Sequence, residues 1–348
     1  MIDYSFHDGL KVLSSQDGGE VFRASKDELL QQAKDIDSTP PPEPEIHRIE
    51  VKNGKKININ LYRKIGESAT KSAILMFQPW GISNSKHGEE MSSLASGLDR
   101  SLVIVEQPGF SGSDLFPTSV VKDLAKTGSY AAAGEWLAPA INDFFESEDI
   151  IAQTAALYVH GASEGGRLAL SAAPFLDQEQ MIINAVDPPG SEYLGFERMA
   201  WRFTGLENGN VIQYTMATPE DITGIAKGNP LKVPIRMVAP PRQHAPSYLW
   251  QTLIDRPLSM SKAGLEKDLE AAAETDAVKG IQLIQLDESR LNNSNNMRAV
   301  ADRVNEKNPG VIDLLEIPNH SHAVIGRQAF DLAMLFVALG KNGLQEAV

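Results

Sequence analysis

The sequence predicts an α/β architecture: a mostly parallel sheet flanked by helices, with one inserted segment. Three observations carry this. Continuous apolar runs of four or five residues recur at 73–77, 102–105 and 155–159, and each is followed by a stretch with apolar residues at helical spacing. Residues 155–173 read as a buried strand, a glycine-rich turn and a helix without a break. The alternation stops between 191 and 258 and then resumes. Alternating strands and helices imply right-handed crossovers and a sheet covered on both faces.

Composition narrows the function classes. A chain of 348 residues, 42% hydrophobic and 22% charged, can bury a sizeable core. Its net charge of −14 would repel a phosphate backbone, and no basic cluster offsets it, so no nucleic-acid partner is expected. No apolar run approaches the roughly 20 residues of a membrane span, and no membrane partner is expected. The first residues lack a basic segment followed by an apolar one, so the cytoplasm is the expected compartment. The absence of cysteine excludes disulfides, thiolate metal sites and a cysteine nucleophile.

Residues 1–45 read as an N-terminal arm. Ser25-Lys26-Asp27-Glu28 is a capping-box pattern, and Leu29, Leu30, Ala33 and Ile36 continue it at helical spacing. The proline-rich stretch 38–45 stops that helix and forms an extended connector. Such an arm packs on the main domain or on a second subunit, and a homo-oligomer built through it is one expectation.

From 46 onward each element has its own signal. Segments 46–51 and 57–62 are strands joined by Lys52-Asn53-Gly54-Lys55, whose Asn-Gly pair marks a hairpin. The run 73–77 is apolar throughout, hence a strand covered on both faces. A helix over 87–98, a strand over 102–105 and a helix over 134–145 follow. The strand 155–159 and another over 182–186 come next, the latter ending at Asp187-Pro188-Pro189-Gly190. Residues 191–258 are rich in aromatics and proline and read as a largely helical lid inserted after the sixth strand. A helix over 261–274, a strand over 281–286, a helix over 295–304, a strand over 311–317 and a helix over 328–339 complete the chain. The core is thus 46–190 together with 259–348.

Gly161-Ala162-Ser163-Glu164-Gly165 sits between the strand and the helix of 155–173. A G-x-S-x-G turn in that context exposes one serine on a strained backbone, which demands small residues two positions to either side. Roughly 0.1 such pentapeptides are expected by chance in a chain of this size, so the flanking pattern decides the reading. A serine hydroxyl is a weak nucleophile and needs a base within hydrogen-bond reach.

Taken together, 46–340 resembles the α/β-hydrolase superfamily. Glu106-Gln107-Pro108-Gly109-Phe110-Ser111-Gly112-Ser113-Asp114 is similar to that family's acidic-Pro-Gly turn, which is structural there. Pro318-Asn319-His320-Ser321-His322 resembles its late histidine segment, and matching the proline puts His322 at the base, with His320 an ordinary loop residue. The family's acid usually follows the next-to-last strand, but a gap-free match puts Ser289 there. The acid then comes from Glu288 or Asp287, or from Asp187 after the preceding strand. The resemblance further implies an oxyanion hole made by the Glu164 backbone N–H with that of Ile82, or alternatively Trp80. Trp80, Trp201 and Trp250 are candidates for an apolar substrate pocket, or simply core. Arg198, Arg202 and Arg242 are candidate partners for a substrate carboxylate.

The expectation is a serine hydrolase of a carboxylic ester or related small acyl substrate, using no cofactor and no metal. The fold leaves open carbon–carbon, amide or peptide bond hydrolysis, cofactor-free lyase chemistry, and a non-catalytic ligand-binding protein.

Overall fold

The computed structural model describes residues 10–25, 27–28, 44–63, 73–80, 100–110, 112–150, 156–202, 251, 255–322, 325 and 328–338. Among them, the strands are β1 (Leu10–Ser14), β2 (Glu20–Ala24), β3 (Glu45–Val51), β4 (Lys55–Tyr62), β5 (Ala73–Phe77), β6 (Ser101–Val105), β7 (Leu157–Ala162), β8 (Met181–Val186), β9 (Val278–Leu286) and β10 (Ile312–Ile317). They form one sheet in the order β2-β1-β10-β9-β8-β7-β5-β6-β4-β3. The six strands from β10 to β6 are parallel, and hairpins extend the sheet antiparallel at each end.

The helices are α1 (Thr118–Thr127), α2 (Ala131–Glu148), α3 (Glu164–Ala172), α4 (Phe196–Trp201), α5 (Arg256–Met260), α6 (Leu265–Ala273), α7 (Ser294–Lys307) and α8 (Gln328–Ala338). Strand periodicity divides the core between the two faces. Leu75 and Phe77 of β5 join Val159, Ile183 and Leu283 under α2, α3, α6 and α7. Ile74 and Met76, one residue out of phase, join Ile284, Leu315 and the α8 residues Phe330, Met334 and Leu335. Each fully buried side chain of this kind stabilises by about 1.5–3 kcal/mol. Among the described residues no helix is long and apolar enough to cross a membrane.

The β3–β4 turn is as expected: Asn53 and Gly54 both have positive φ, 70° and 69°, the twist a tight hairpin needs. The arm differs from expectation. Residues 10–24 form a hairpin that the sequence reading did not anticipate, and β1 pairs with β10 in the chain's own sheet. Leu10, Val12 and Phe22 are buried against the second core face, which explains why the hairpin docks there. The capping box is present, with Ser25 N–H donating to Glu28 Oε2 (2.7 Å) and Glu28 N–H to Ser25 Oγ (3.2 Å), but 29–43 lie outside the described residues. With two extra strands ahead of it, the strand preceding the insertion is the eighth among the described residues, where the sixth was expected. Helix α1 is a second addition. The expected helix 87–98 lies outside the described residues, as does 203–250 of the expected lid; the lid's described ends carry α4 and the start of α5.

Candidate active site

Strand β7 ends at Ala162 and helix α3 begins at Glu164, leaving Ser163 to make the whole turn with φ 53° and ψ −126°. That conformation costs of order 1–3 kcal/mol and persists only where packing enforces it. Here glycines permit the packing. A Cβ on Gly161 would lie 2.1 Å from the Gly165 carbonyl oxygen, and one on Gly165 would lie 2.2 Å from that of Phe77. The helix therefore sits directly on the ends of β5 and β7. Ser163 N–H donates to Val186 O of the neighbouring β8 (2.8 Å), which fixes the turn to the sheet.

The next residue after β8 is Asp187, with φ 43° and its N–H donating to Ile284 O of β9 (2.7 Å). His322 lies in the loop after β10. Its Nε2 is 2.9 Å from Ser163 Oγ and its Nδ1 is 2.5 Å from Asp187 Oδ2. Serine, histidine and aspartate thus form one buried hydrogen-bonded line at the carboxyl ends of parallel strands, where open α/β sheets place their ligand crevices. The line fixes the tautomer: Nδ1 donates to the carboxylate, so the Nε2 lone pair faces the hydroxyl.

Asp187 Oδ1 accepts from Asn292 Nδ2 (2.9 Å), and the same nitrogen donates to Pro188 O (3.1 Å). Asn292 Oδ1 in turn accepts from Ser191 Oγ (3.1 Å). Asn292 follows closely on Ser289, whose Oγ accepts from Leu291 N–H (3.3 Å). Asp287 and Glu288 are exposed and do not reach His322; they hold its loop instead. Asp287 Oδ1 accepts from His320 N–H (3.3 Å), and Glu288 N–H donates to His320 O (3.0 Å). His320 turns its own Nδ1 to Pro318 O (2.7 Å), away from the serine.

Glu164 opens α3, so its backbone N–H is one of the first-turn donors without a partner in the helix. Trp80 follows β5 and packs into the main core. Ile82, Arg242 and Trp250 lie outside the described residues, and of Trp201 only its place in α4 is described. Arg198 is exposed, and Arg202 pairs with Glu192 (3.1 Å). Arg202 also lines a cavity of ≈ 430 Å³ with Asp287, Ser289, Arg290 and Asn292, but neither Ser163 nor His322 borders it.

Two buried ion pairs brace the elbow, and neither was apparent from sequence. Arg167 of α3 pairs with Asp268 of α6 (Nη2–Oδ2 2.7 Å) and donates to Pro189 O and Gly128 O, both at 2.7 Å. Burial pushes the Asp268 carboxyl up from its ordinary value, and Arg167 opposes that shift. Arg256 of α5 pairs with Glu164 (2.5 Å). Each joins residues distant in the chain, which periodicity and motif cannot connect.

Among the described residues, Glu45, His47 and Glu148 form one cluster whose ligand atoms lie within 4.8 Å of one another. Arg63 already pairs with both carboxylates, so a guanidinium fills the cation's role there.

No family model and no curated protein matches the sequence. The structure is similar to that of DcsB, solved in complex with its substrate analogue, with a TM-score of 0.52 at 14% identity over 88% of this chain and 100% of that one. It is also similar to the Pyrococcus furiosus esterase Pf2001, with a TM-score of 0.51 at 12% identity over 88% of this chain and 91% of that one. The strand order, the turn that carries Ser163 and these two likenesses identify the architecture as the α/β-hydrolase fold.

Proposed function

We propose that this protein is a serine hydrolase that cleaves a carboxylic ester or related small acyl substrate through an acyl-enzyme on Ser163. The observation that carries the reading is the line from Asp187 through His322 to Ser163, with donor–acceptor distances of 2.5 and 2.9 Å.

The chemistry follows from that line. Ser163 Oγ attacks the acyl carbonyl as its proton passes to His322 Nε2. Asp187 stabilises the imidazolium that results and keeps Nδ1 as the protonated nitrogen. The oxyanion of the tetrahedral intermediate accepts a hydrogen bond from the Glu164 backbone N–H, at the positive end of α3. A second donor comes from the segment after β5, from Ile82 or alternatively Trp80. Collapse of the intermediate expels the alkoxide, which takes the proton from His322. Water then attacks the acyl-enzyme with the same histidine as base, and Ser163 is regenerated.

Ser289 at the usual acid position is the feature that favours a non-catalytic ligand-binding protein. It loses force with Asp187 standing against His322. An aryl phosphonofluoridate should label the parent at Ser163 and leave Ser163→Ala unlabelled, and the parent alone should hydrolyse nitrophenyl esters of short acids. Equal labelling or equal turnover in the two proteins would overturn the proposal. Amide and diketone substrates in the same assay separate ester cleavage from amide and carbon–carbon bond cleavage.

A further inference from the structure

Arg256 is almost wholly buried at the start of α5, yet its guanidinium reaches three residues in two separate segments. Nε donates to Glu164 Oε1 (2.9 Å), and Nη2 donates to Glu164 Oε2 (2.5 Å) and to Gln107 Oε1 (2.5 Å). Nη1 donates to Pro108 O (2.8 Å) in the turn after β6. Gln107 passes the link on, because its Nε2 donates to the Gln78 carbonyl at the end of β5. Tyr130 Oη also donates to Glu164 Oε1 (2.8 Å), so the carboxylate is held from both sides. The rings of Phe110 and Phe116 lie 5.3 and 5.5 Å from the guanidinium carbon and seal the group from water.

Two of the anchored points are where the oxyanion donors originate. Glu164 supplies the first N–H, and the segment leaving β5 at Gln78 supplies the second. Gly165 brings the two within van der Waals range: a Cβ there would lie 2.7 Å from Gln78 O. One guanidinium therefore spans the two halves of the hole, directly at Glu164 and through Gln107 at Gln78. Oxyanion stabilisation depends on donors aimed before charge develops, so the spacing of these halves governs the rate more than the binding of substrate.

Resting on the serine-hydrolase reading above, we propose that Arg256 is a positioning residue that fixes the spacing of the oxyanion hole through Glu164 and Gln107. A positioning role and a purely structural ion pair make different predictions. Loss of a structural pair lowers the fraction of folded protein; loss of positioning lowers kcat in each folded molecule and leaves KM nearly unchanged.

The test compares the parent, Arg256→Lys, Arg256→Met and Glu164→Gln. Active sites are counted by stoichiometric phosphonofluoridate labelling, Tm is measured for each protein, and kcat and KM are determined on a nitrophenyl ester per labelled site. Lysine keeps the charge but cannot reach Glu164, Gln107 and Pro108 together. Removing an oxyanion donor outright typically costs about 10²- to 10³-fold, which sets the ceiling; Arg256→Lys is expected to lower kcat per site by about 10- to 100-fold with KM within about 3-fold. Glu164→Gln, close in shape and still bonded to Tyr130, is expected to lower kcat at least about 5-fold and serves if the arginine variants do not fold. Values of kcat per site within about 2-fold of the parent in every folded variant would reduce Arg256 to a structural pair. A parent with no labelling at Ser163 would instead overturn the hydrolase reading itself.

Discussion

Replacing Asp187 by asparagine tests the proposed mechanism through one proton. Asn292 Nδ2 faces both Asp187 Oδ1 (2.9 Å) and the Pro188 carbonyl (3.1 Å), and a carbonyl oxygen accepts only, so Asn292 must present its NH₂ to position 187. In Asp187→Asn the new side-chain amide would therefore turn its oxygen to Asn292 and its own NH₂ to His322 Nδ1. A donor there forces Nδ1 to accept, which moves the ring proton to Nε2. The nitrogen facing Ser163 Oγ at 2.9 Å would then carry a proton where the mechanism needs a lone pair. The carboxylate that stabilises the imidazolium would be lost as well. Together these cost about 10⁴-fold in kcat, or about 5 kcal/mol.

The same geometry predicts a rescue. In Asp187→Asn/Asn292→Asp, the carboxylate at 292 accepts from the amide at 187, at the cost of the bond to the Pro188 carbonyl, and the amide oxygen turns back to His322 Nδ1. The productive tautomer returns, without the charge. We expect the double variant to exceed Asp187→Asn by at least about 10-fold in kcat, far short of the parent. Asn292→Asp alone should be impaired, since two carboxylates would face each other across 2.9 Å. The assay is nitrophenyl ester hydrolysis at about pH 7.5, normalised to labelled Ser163. If Asp187→Asn keeps more than a tenth of parental kcat, the role of Asp187 is refuted; a double variant no better than that single one would refute the tautomer argument.

Two further outcomes follow from the fold. Gly165→Ala places a methyl 2.2 Å from Phe77 O, so either β5 or the elbow must shift; we expect a loss of about 1–3 kcal/mol in urea denaturation and a large loss of activity, whereas Gly280→Ala, with nothing within 4 Å, should be neutral in both. Burial pushes the His160 imidazole down to about 4 from an ordinary 6.5, so the folded state keeps it neutral while the unfolded chain protonates it first. Its contribution is therefore complete above about pH 6.5 and is lost as pH falls toward 4, by about 3 kcal/mol in all. Denaturation midpoints taken at intervals from about pH 7.5 down to about 4.5 should fall more steeply for the parent than for His160→Gln, and parallel curves would refute this.

Legibility in the sequence tracks the range of the interactions involved. A strand covered on both faces, such as Ala73–Phe77, announces itself as an unbroken apolar run. The β1–β2 hairpin does not, because short strands near the sheet edge alternate Leu10 and Val12 with polar residues and resemble loop. Helix α1 escaped because its buried residues are only Val120, Val121 and Leu124, too few for a stripe. Of the site, Ser163 is legible because its turn is local, and His322 because a proline fixes its register. The Arg256–Glu164 pair spans 92 positions, and only the folded sheet brings it together.

The acid shows why a local match could not choose between strands. Residues following β8 and β9 emerge side by side, since Val186 is in register with Ile284 and Asp187 N–H bonds to Ile284 O. A carboxylate rising from either strand can address one imidazole, so a motif search weighs two equivalent starting points. Chemistry breaks the tie. Asp187 Oδ1 is buried and needs a donor, which a second carboxylate in the loop after β9 would not supply. The loop after β9 meets that requirement: Ser289 caps its turn and Asn292 donates to Asp187. On the proposed mechanism the acid rises from β8, and Asn292 in the loop after β9 satisfies its Oδ1.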